Sequence, residues 1–122
     1  MKLVKLSTII TLLFITYYSL KTPGKFDIPT NDKVGHFLAY TVLSIHLLLL
    51  SKTKKETLLA VVFSVFYGLS MEFFQGFFPE REQSIYDVLA NSFGVLIGFI
   101  IISLFKKNIL FILEKMKIAN QK

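Results

Sequence analysis

The chain contains no cysteine, which excludes disulfide bridges and thiolate metal sites but does not identify a cellular compartment. It is also poor in charge: 18% of its 122 residues are charged, against about 25% in an ordinary soluble domain, while 53% are hydrophobic. A soluble domain of this size would interleave polar residues through its helices, whereas here the charges lie in short blocks between long apolar runs. The pattern favours a membrane protein of one domain.

Arginine is nearly absent as well, since Arg81 is the single arginine and the other basic residues are lysines. The formal net charge of +6 raises the question of nucleic acid binding. However, no basic helix face carries interleaved aromatic residues, and most lysines flank apolar runs as topology signals do. The expected partner is therefore the lipid bilayer and not nucleic acid.

Four apolar runs each have about the ~20 residues that a helix needs to cross the apolar core of a bilayer. They predict an all-α fold, a bundle of four transmembrane helices within residues 1–105, followed by a basic cytoplasmic tail at 106–122. The first run resembles a signal peptide, but no small-residue cleavage motif follows it, so it is interpreted as an uncleaved span. The tail is either a helix on the membrane surface or a continuation of the fourth span. The predicted spans are 4–20, 34–51, 57–78 and 85–105.

The lysines also predict the orientation of these spans. With four spans, the two termini and the middle loop share one face of the membrane, and most of the lysines lie there. The two loops on the other face are close to neutral or slightly acidic. By the positive-inside rule, both termini are predicted to be cytoplasmic.

Polar and small residues form one stripe on each of the last three predicted helices. Most ionisable residues in or beside the spans lie near the outer helix ends, and Glu72 and Asn91 are about 9 Å below the outer boundary. Because a charged group in hydrocarbon is costly, the stripes are expected to enclose a polar pocket open to the outside, capped by Arg81. The stripes comprise Asp32, His36 and Tyr40; Ser64, Gly68, Glu72 and Gln75; and Ser84, Asp87, Asn91, Gly94 and Gly98.

The same positions carry a resemblance to a known family. The motifs are Asp32-Lys33-x-x-His36-Phe37-x-x-Tyr40, Tyr67-Gly68 with Glu72-x-x-Gln75, Pro79-x-Arg81, and Ser84-x-x-Asp87-x-x-x-Asn91-x-x-Gly94-x-x-x-Gly98. Over roughly residues 27–105 this pattern resembles the VanZ-like family of small bacterial membrane proteins. The resemblance implies the bacterial cytoplasmic (inner) membrane, and the founding member is associated with low-level resistance to the glycopeptide teicoplanin. The family pattern carries over to Asp32, Lys33, His36, Glu72, Gln75, Arg81, Asp87 and Asn91.

Three interpretations of the polar pocket stay open. Its side chains could hold the helices together by hydrogen bonds and ion pairs, as a purely structural or assembly role requires. They could bind an envelope ligand, such as a lipid-linked cell-wall precursor or a glycopeptide: Arg81 and Lys33 suit a carboxylate or phosphate, and amides suit peptide or sugar groups. They could also form a membrane enzyme with Glu72 and His36 as acid and base, although no serine or cysteine nucleophile sits in an activating motif.

Weaker alternatives concern metals and oligomers. A metal held by His36, Glu72 and Asp87 lacks a ligand spacing such as HExxH, so neither a metal nor a cofactor is expected. A homo-oligomer could use Gly94 and Gly98 in a contact between small residues, although the same glycines serve packing within one chain equally well. His46, near the cytoplasmic end of its span, is interpreted as a packing or interfacial residue.

Overall fold

The computed structural model describes residues 2–20, 32–77 and 85–121. These residues form four helices: α1 (Lys2–Leu20), α2 (Asp32–Leu50), α3 (Lys54–Gln75) and α4 (Ile85–Gln121). No strand occurs in the described ranges. The predicted all-α fold class is confirmed.

The central helix is α2, which packs against the other three and most extensively against α4. Two apolar clusters lie along it, and every helix contributes to both. We call them the lower cluster, next to the α2–α3 connection, and the upper cluster. The lower cluster comprises Val4, Leu48, Leu49, Ala60 and Ile102. The upper cluster comprises Ile15, Tyr40, Leu43, Met71 and Val95.

Small residues allow α2 and α4 to approach closely. A Cβ atom at Gly94 would overlap the backbone carbonyl of Phe37, and one at Gly98 would overlap the Ser44 hydroxyl. At the same crossing, the Thr41 hydroxyl lies 2.7 Å from the Phe37 carbonyl oxygen and 3.1 Å from that of Gly94. Both glycines are therefore used for packing within the chain, and a contact between copies would need another face.

Much of the outward surface of the bundle is apolar. Both α3 and α4 are long and apolar enough to cross a membrane, yet only 28% of the most apolar stretch of each is buried within the protein. A core helix of a soluble protein would be mostly buried, so these two helices present their apolar side chains outward. The apolar part of α2, Val34–Leu50, is shorter. Within the described residues, two of the four predicted spans thus have the length and hydropathy of membrane helices.

The fourth helix continues well past the predicted end of its span. It runs unbroken from Ile85 to Gln121, or about 55 Å at 1.5 Å per residue. Beyond the predicted end, Ile109, Leu110 and Leu113 pack against the lower cluster. The tail is therefore a helical continuation of α4 as far as Gln121.

The connection between α2 and α3 is short and well satisfied in hydrogen bonds. Thr53 is the N-cap of α3, where its hydroxyl oxygen accepts from the Glu56 backbone N–H at 3.1 Å. The Glu56 carboxylate accepts in turn from the Lys52 backbone N–H at 2.6 Å. Across the connection, the Lys106 ammonium donates to the carbonyl oxygens of Leu48, at 2.9 Å, and Ser51. A cation from α4 therefore adds a donor to two carbonyls at and just after the end of α2, of which that of Leu48 also accepts from the Ser51 backbone N–H at 3.2 Å.

Candidate functional site

Five polar side chains from three helices lie at the end of the bundle where α3 ends and α4 begins. We call them the polar cluster. The side chain of His36 is 12% exposed and that of Asp87 6%, and as whole residues Glu72 is 7% exposed, Gln75 3% and Asn91 2%. Carboxylates are almost never fully buried unless they are paired, so two of them in one such cluster point to a specific role.

Helical periodicity explains how these side chains reach the interior. On α3 the buried residues recur every three or four positions, which places them on one face of the helix. That face contains the predicted stripe, and α4 buries its stripe in the same way from Asp87 onward. Both predicted stripes thus face the interior of the bundle. The buried residues of α3 are Ala60, Ser64, Gly68, Met71, Glu72 and Gln75.

His36 connects α2 to α4 within the polar cluster. Its Nδ1 atom lies 3.0 Å from Asn91 Oδ1, and because a carbonyl oxygen only accepts, this nitrogen is the donor. Its Nε2 atom lies 3.7 Å from Asp87 Oδ2, which is an electrostatic contact and longer than a direct hydrogen bond. An imidazolium at His36 would therefore donate to Asn91 and face the Asp87 carboxylate at the same time. Two residues one helical turn apart on α4 thus orient this ring.

Gly68 brings α3 close to the same contact. A Cβ atom at Gly68 would lie 3.0 Å from Asn91 Nδ2 and 3.2 Å from Tyr40 Cε1. Contacts of that length are tighter than almost all real ones, so a larger residue would displace the Asn91 amide or the Tyr40 ring. The glycine in the predicted stripe therefore sets the spacing between α3 and its neighbours.

Tyr40 also belongs to this region; the predicted stripe on α2 includes it, but the eight site positions taken from the family pattern do not. It is 1% exposed, and its hydroxyl has no hydrogen-bond partner in the described part of the chain. Glu72 and Tyr67 lie close enough to interact with the phenol electrostatically. The signal for Tyr40 was present in the sequence, because it lies four residues after His36 on the same helix face.

Helix α1 supports the site through contacts that no sequence pattern indicated. The Tyr67 hydroxyl forms a hydrogen bond with the Thr16 hydroxyl and lies 3.2 Å from the Leu12 carbonyl oxygen, which links α3 to α1. Nearer the lower cluster, Ser7 Oγ lies 2.7 Å from His46 Nε2, while His46 Nδ1 donates to the Val42 carbonyl at 2.7 Å. His46 therefore packs at a helix interface, where it joins α2 to α1.

The remaining predicted site residues are only partly covered by the structure. Arg81 lies outside the described residues, and for Asp32 and Lys33 only the helical backbone is described. Their roles in capping the pocket and binding an anion stay predictions. Among the described side chains, no group of three histidine or acidic residues is arranged to hold a metal ion.

Comparisons with known proteins cover the whole polar cluster. The family model described as VanZ/LLP1 matches residues 1–106. An uncharacterized protein of Schizosaccharomyces pombe is 32% identical over 105 residues, which are 84% of this chain and 64% of that protein. The chain thus spans less than two thirds of this relative's length. No solved structure matches. Together with the two helices of membrane-spanning length and hydropathy, the family match indicates a membrane protein.

Proposed function

This chain belongs to the VanZ/LLP1 family, and on that premise we propose that it is a four-span protein of the bacterial cytoplasmic membrane that binds an envelope ligand. The observation that carries the proposal is the burial of Glu72 and Asp87 at one end of an apolar bundle, where Asp87 also faces His36 at 3.7 Å. Ionisable residues inside a membrane are costly, and they commonly mark the sites where substrates or ions bind.

The chemistry of the polar cluster defines the kind of ligand. The two carboxylates accept hydrogen bonds from hydroxyl, amide or ammonium groups. The amides of Gln75 and Asn91 both donate and accept, as peptide and sugar groups require. Lys33 and Arg81, predicted beside the cluster, add cations for a carboxylate or phosphate. A lipid-linked cell-wall precursor combines all these groups. A glycopeptide such as teicoplanin would compete with the chain for that precursor.

The proposal is tested by teicoplanin susceptibility in a sensitive bacterium that expresses the chain. We expect a modest rise in the inhibitory concentration with the native chain, and loss of that rise with Glu72→Gln or Asp87→Asn. These changes remove an ionisable carboxyl group and keep the shape of the side chain. The matched control is Glu114→Gln, since Glu114 is an exposed carboxylate on α4 far from the cluster. It should behave as the native chain does.

Protein abundance in the membrane separates binding from a structural role. If Glu72→Gln and Asp87→Asn reach the native abundance and still lose the effect, the polar cluster acts on a ligand. If their abundance collapses, the cluster holds the helices together and the binding proposal fails. The proposal would also be contradicted if both variants raised the inhibitory concentration as much as the native chain does.

A second candidate function, a membrane enzyme, is favoured by the orientation of one side chain. His36 is held by Asn91 on one ring nitrogen and faces Asp87 with the other, an arrangement that suits a general acid or base. Glu72 would be the second acid–base group. Turnover of a purified lipid-linked envelope substrate that Glu72→Gln abolishes would indicate the enzyme, whereas affinity without turnover would indicate the binder.

A further inference from the structure

A cavity of about 320 Å³ lies at the opposite end of the bundle from the polar cluster. This volume is within the range of ~300–1,000 Å³ that is typical of small-ligand sites. It opens between the α2–α3 connection and α4, roughly 30 Å along α3 from Gln75. Its lining residues are Ser51, Lys52, Thr53, Lys54, Thr57 and Lys106.

Three of the lining residues are lysines, and among the described residues no carboxylate lines the cavity. Lys52 and Lys54 come from the connection and from the start of α3, whereas Lys106 comes from α4. Their charges thus converge from separate parts of the chain. The Lys106 ammonium is held in place by the carbonyls of Leu48 and Ser51, so its position is fixed before any ligand arrives.

The hydroxyl groups in the cavity add a hydrogen-bond donor. Ser51 and Thr57 each donate to a carbonyl of their own helix turn. The Thr53 oxygen accepts from the Glu56 backbone N–H. Within the described part of the chain the hydroxyl hydrogen of Thr53 has no acceptor, so it can donate to a ligand. Glu56 itself is bound to the Lys52 backbone N–H at the helix start. A ligand with several acceptor oxygens and negative charge fits this combination.

The surroundings of the cavity are apolar. Leu58, next to Thr57, is 62% exposed, and Phe105, next to Lys106, is 49% exposed. In a four-span topology these side chains would lie in the bilayer just below the lysines. These apolar side chains would make no favourable contact with a soluble anion. A phospholipid, in contrast, places its phosphate at the interface and its acyl chains beside the helices.

We propose that this cavity binds the phosphate group of an anionic phospholipid through Lys52, Lys54 and Lys106. The site is distinct from the polar cluster and does not depend on its function. The ligand is selected by net charge: the phosphate of a zwitterionic lipid carries a compensating cation, which the three lysines repel. The resulting contact would anchor the α2–α3 connection to the membrane surface.

The test uses the purified full-length chain in a nonionic detergent. Phosphatidylglycerol is titrated against phosphatidylcholine, and bound lipid is counted by native mass spectrometry. We expect a clear preference for phosphatidylglycerol, and the double variant Lys52→Gln/Lys54→Gln should weaken its binding by roughly 25-fold, because each lysine near a lipid phosphate contributes about fivefold. Neither lysine holds the end of α2, so this variant leaves the Lys106 contact intact.

The matched control is Lys55→Gln/Lys107→Gln, which removes the same charge from neighbouring positions that do not line the cavity. The affinity of this control for phosphatidylglycerol should stay within about twofold of the native value, because its two charges contribute only to the general attraction of the basic face, which salt screens. Equal losses in the two double variants would overturn the site. Equal binding of the two lipids would overturn the charge selection. Displacement of phosphatidylglycerol by millimolar inorganic phosphate would show a soluble phosphate site in place of a lipid site.

Discussion

Two glycines in neighbouring helices show how much the surroundings of a residue determine its importance. Gly94 faces α2 so closely that an added Cβ would overlap the Phe37 backbone carbonyl, which cannot move without moving its helix. Gly35 lies in α2, and apart from its own stretch of helix no described atom lies within 4 Å of the position that a Cβ would take. The two positions are alike in helical conformation and differ in contact.

We expect Gly94→Ala to lower the free energy of unfolding by about 1–3 kcal/mol, because the overlap with backbone forces α2 and α4 apart. The matched change Gly35→Ala should leave stability unchanged or raise it by up to about 1 kcal/mol, because alanine restricts the unfolded chain more than glycine does. The measurement is denaturant unfolding in detergent, followed by helical circular dichroism. Equal effects at the two positions would contradict the described packing.

The residues of the polar cluster were largely predictable from sequence, since helical spacing and the cost of buried charge both point to the same stripes. His36, Glu72, Asp87 and Asn91 are buried or nearly so, as the stripes require. The pairing of His36 with two residues of α4 was not predictable, because periodicity fixes which face a residue occupies but not the depth at which two helices meet. If α2 were rotated, or shifted along its axis by one turn, His36 would contact other residues of α4.

At the scale of helices, the apolar runs indicated all four elements, but two features depended on contacts between them. α1 carries hydroxyl groups on several sides, so its sequence does not show that Ser7 and Thr16 are the ones that bond to other helices. At the end of the fourth run, Lys106 and Lys107 suggested an interface. In the structure Lys106 also reaches back to the Leu48 carbonyl of α2, and the helix continues past both lysines to Gln121.

The continuation of α4 is predicted to stabilise the lower cluster. Deletion of residues 108–122 removes Ile109, Leu110 and Leu113, which are partly buried against that cluster. We expect a loss of roughly 2–4 kcal/mol, since full burial of each such side chain contributes about 1.5–3 kcal/mol and these are only partly covered. Thermal unfolding of the purified protein in detergent provides the measurement.

A shorter deletion serves as its control. Removal of residues 118–122 leaves all three packed side chains in place and should change the unfolding temperature little. If both deletions have the same effect, the contacts at positions 109–113 contribute nothing to stability. Because the family match ends at residue 106, a strong effect of the longer deletion alone would show that this chain depends on a segment outside that match.

At the scale of the whole molecule, charge and polarity are separated along the helix axes. The polar cluster lies at one end, and the lysine-lined cavity lies at the other. In a membrane this separation would place the two sites at opposite faces, with the lysines in the cytoplasm by the positive-inside rule. The orientation of the chain therefore decides which compartment each site can reach.

Because the chain has no cysteine, single cysteines can report this orientation without background. In intact cells, a membrane-impermeant thiol reagent should label cysteine introduced at Ile28 or Gln83. Cysteine at Thr53 should react only after the membrane is permeabilised. Labelling at Thr53 but not at Gln83 would reverse the topology and place the polar cluster at the cytoplasmic face.

The crossing of α2 and α4 also constrains how this sequence can change over evolution. At Gly98 the main obstacle to a larger residue is the Ser44 hydroxyl, and the Thr41 backbone carbonyl would lie 3.0 Å from the added Cβ, so a substitution there requires a smaller residue at position 44 and a small shift of the backbone. Positions 44 and 98 should therefore covary among relatives. At Gly94 the obstacle is the backbone of α2, which no change of side chain removes. That position is expected to remain glycine wherever the two helices keep their present distance.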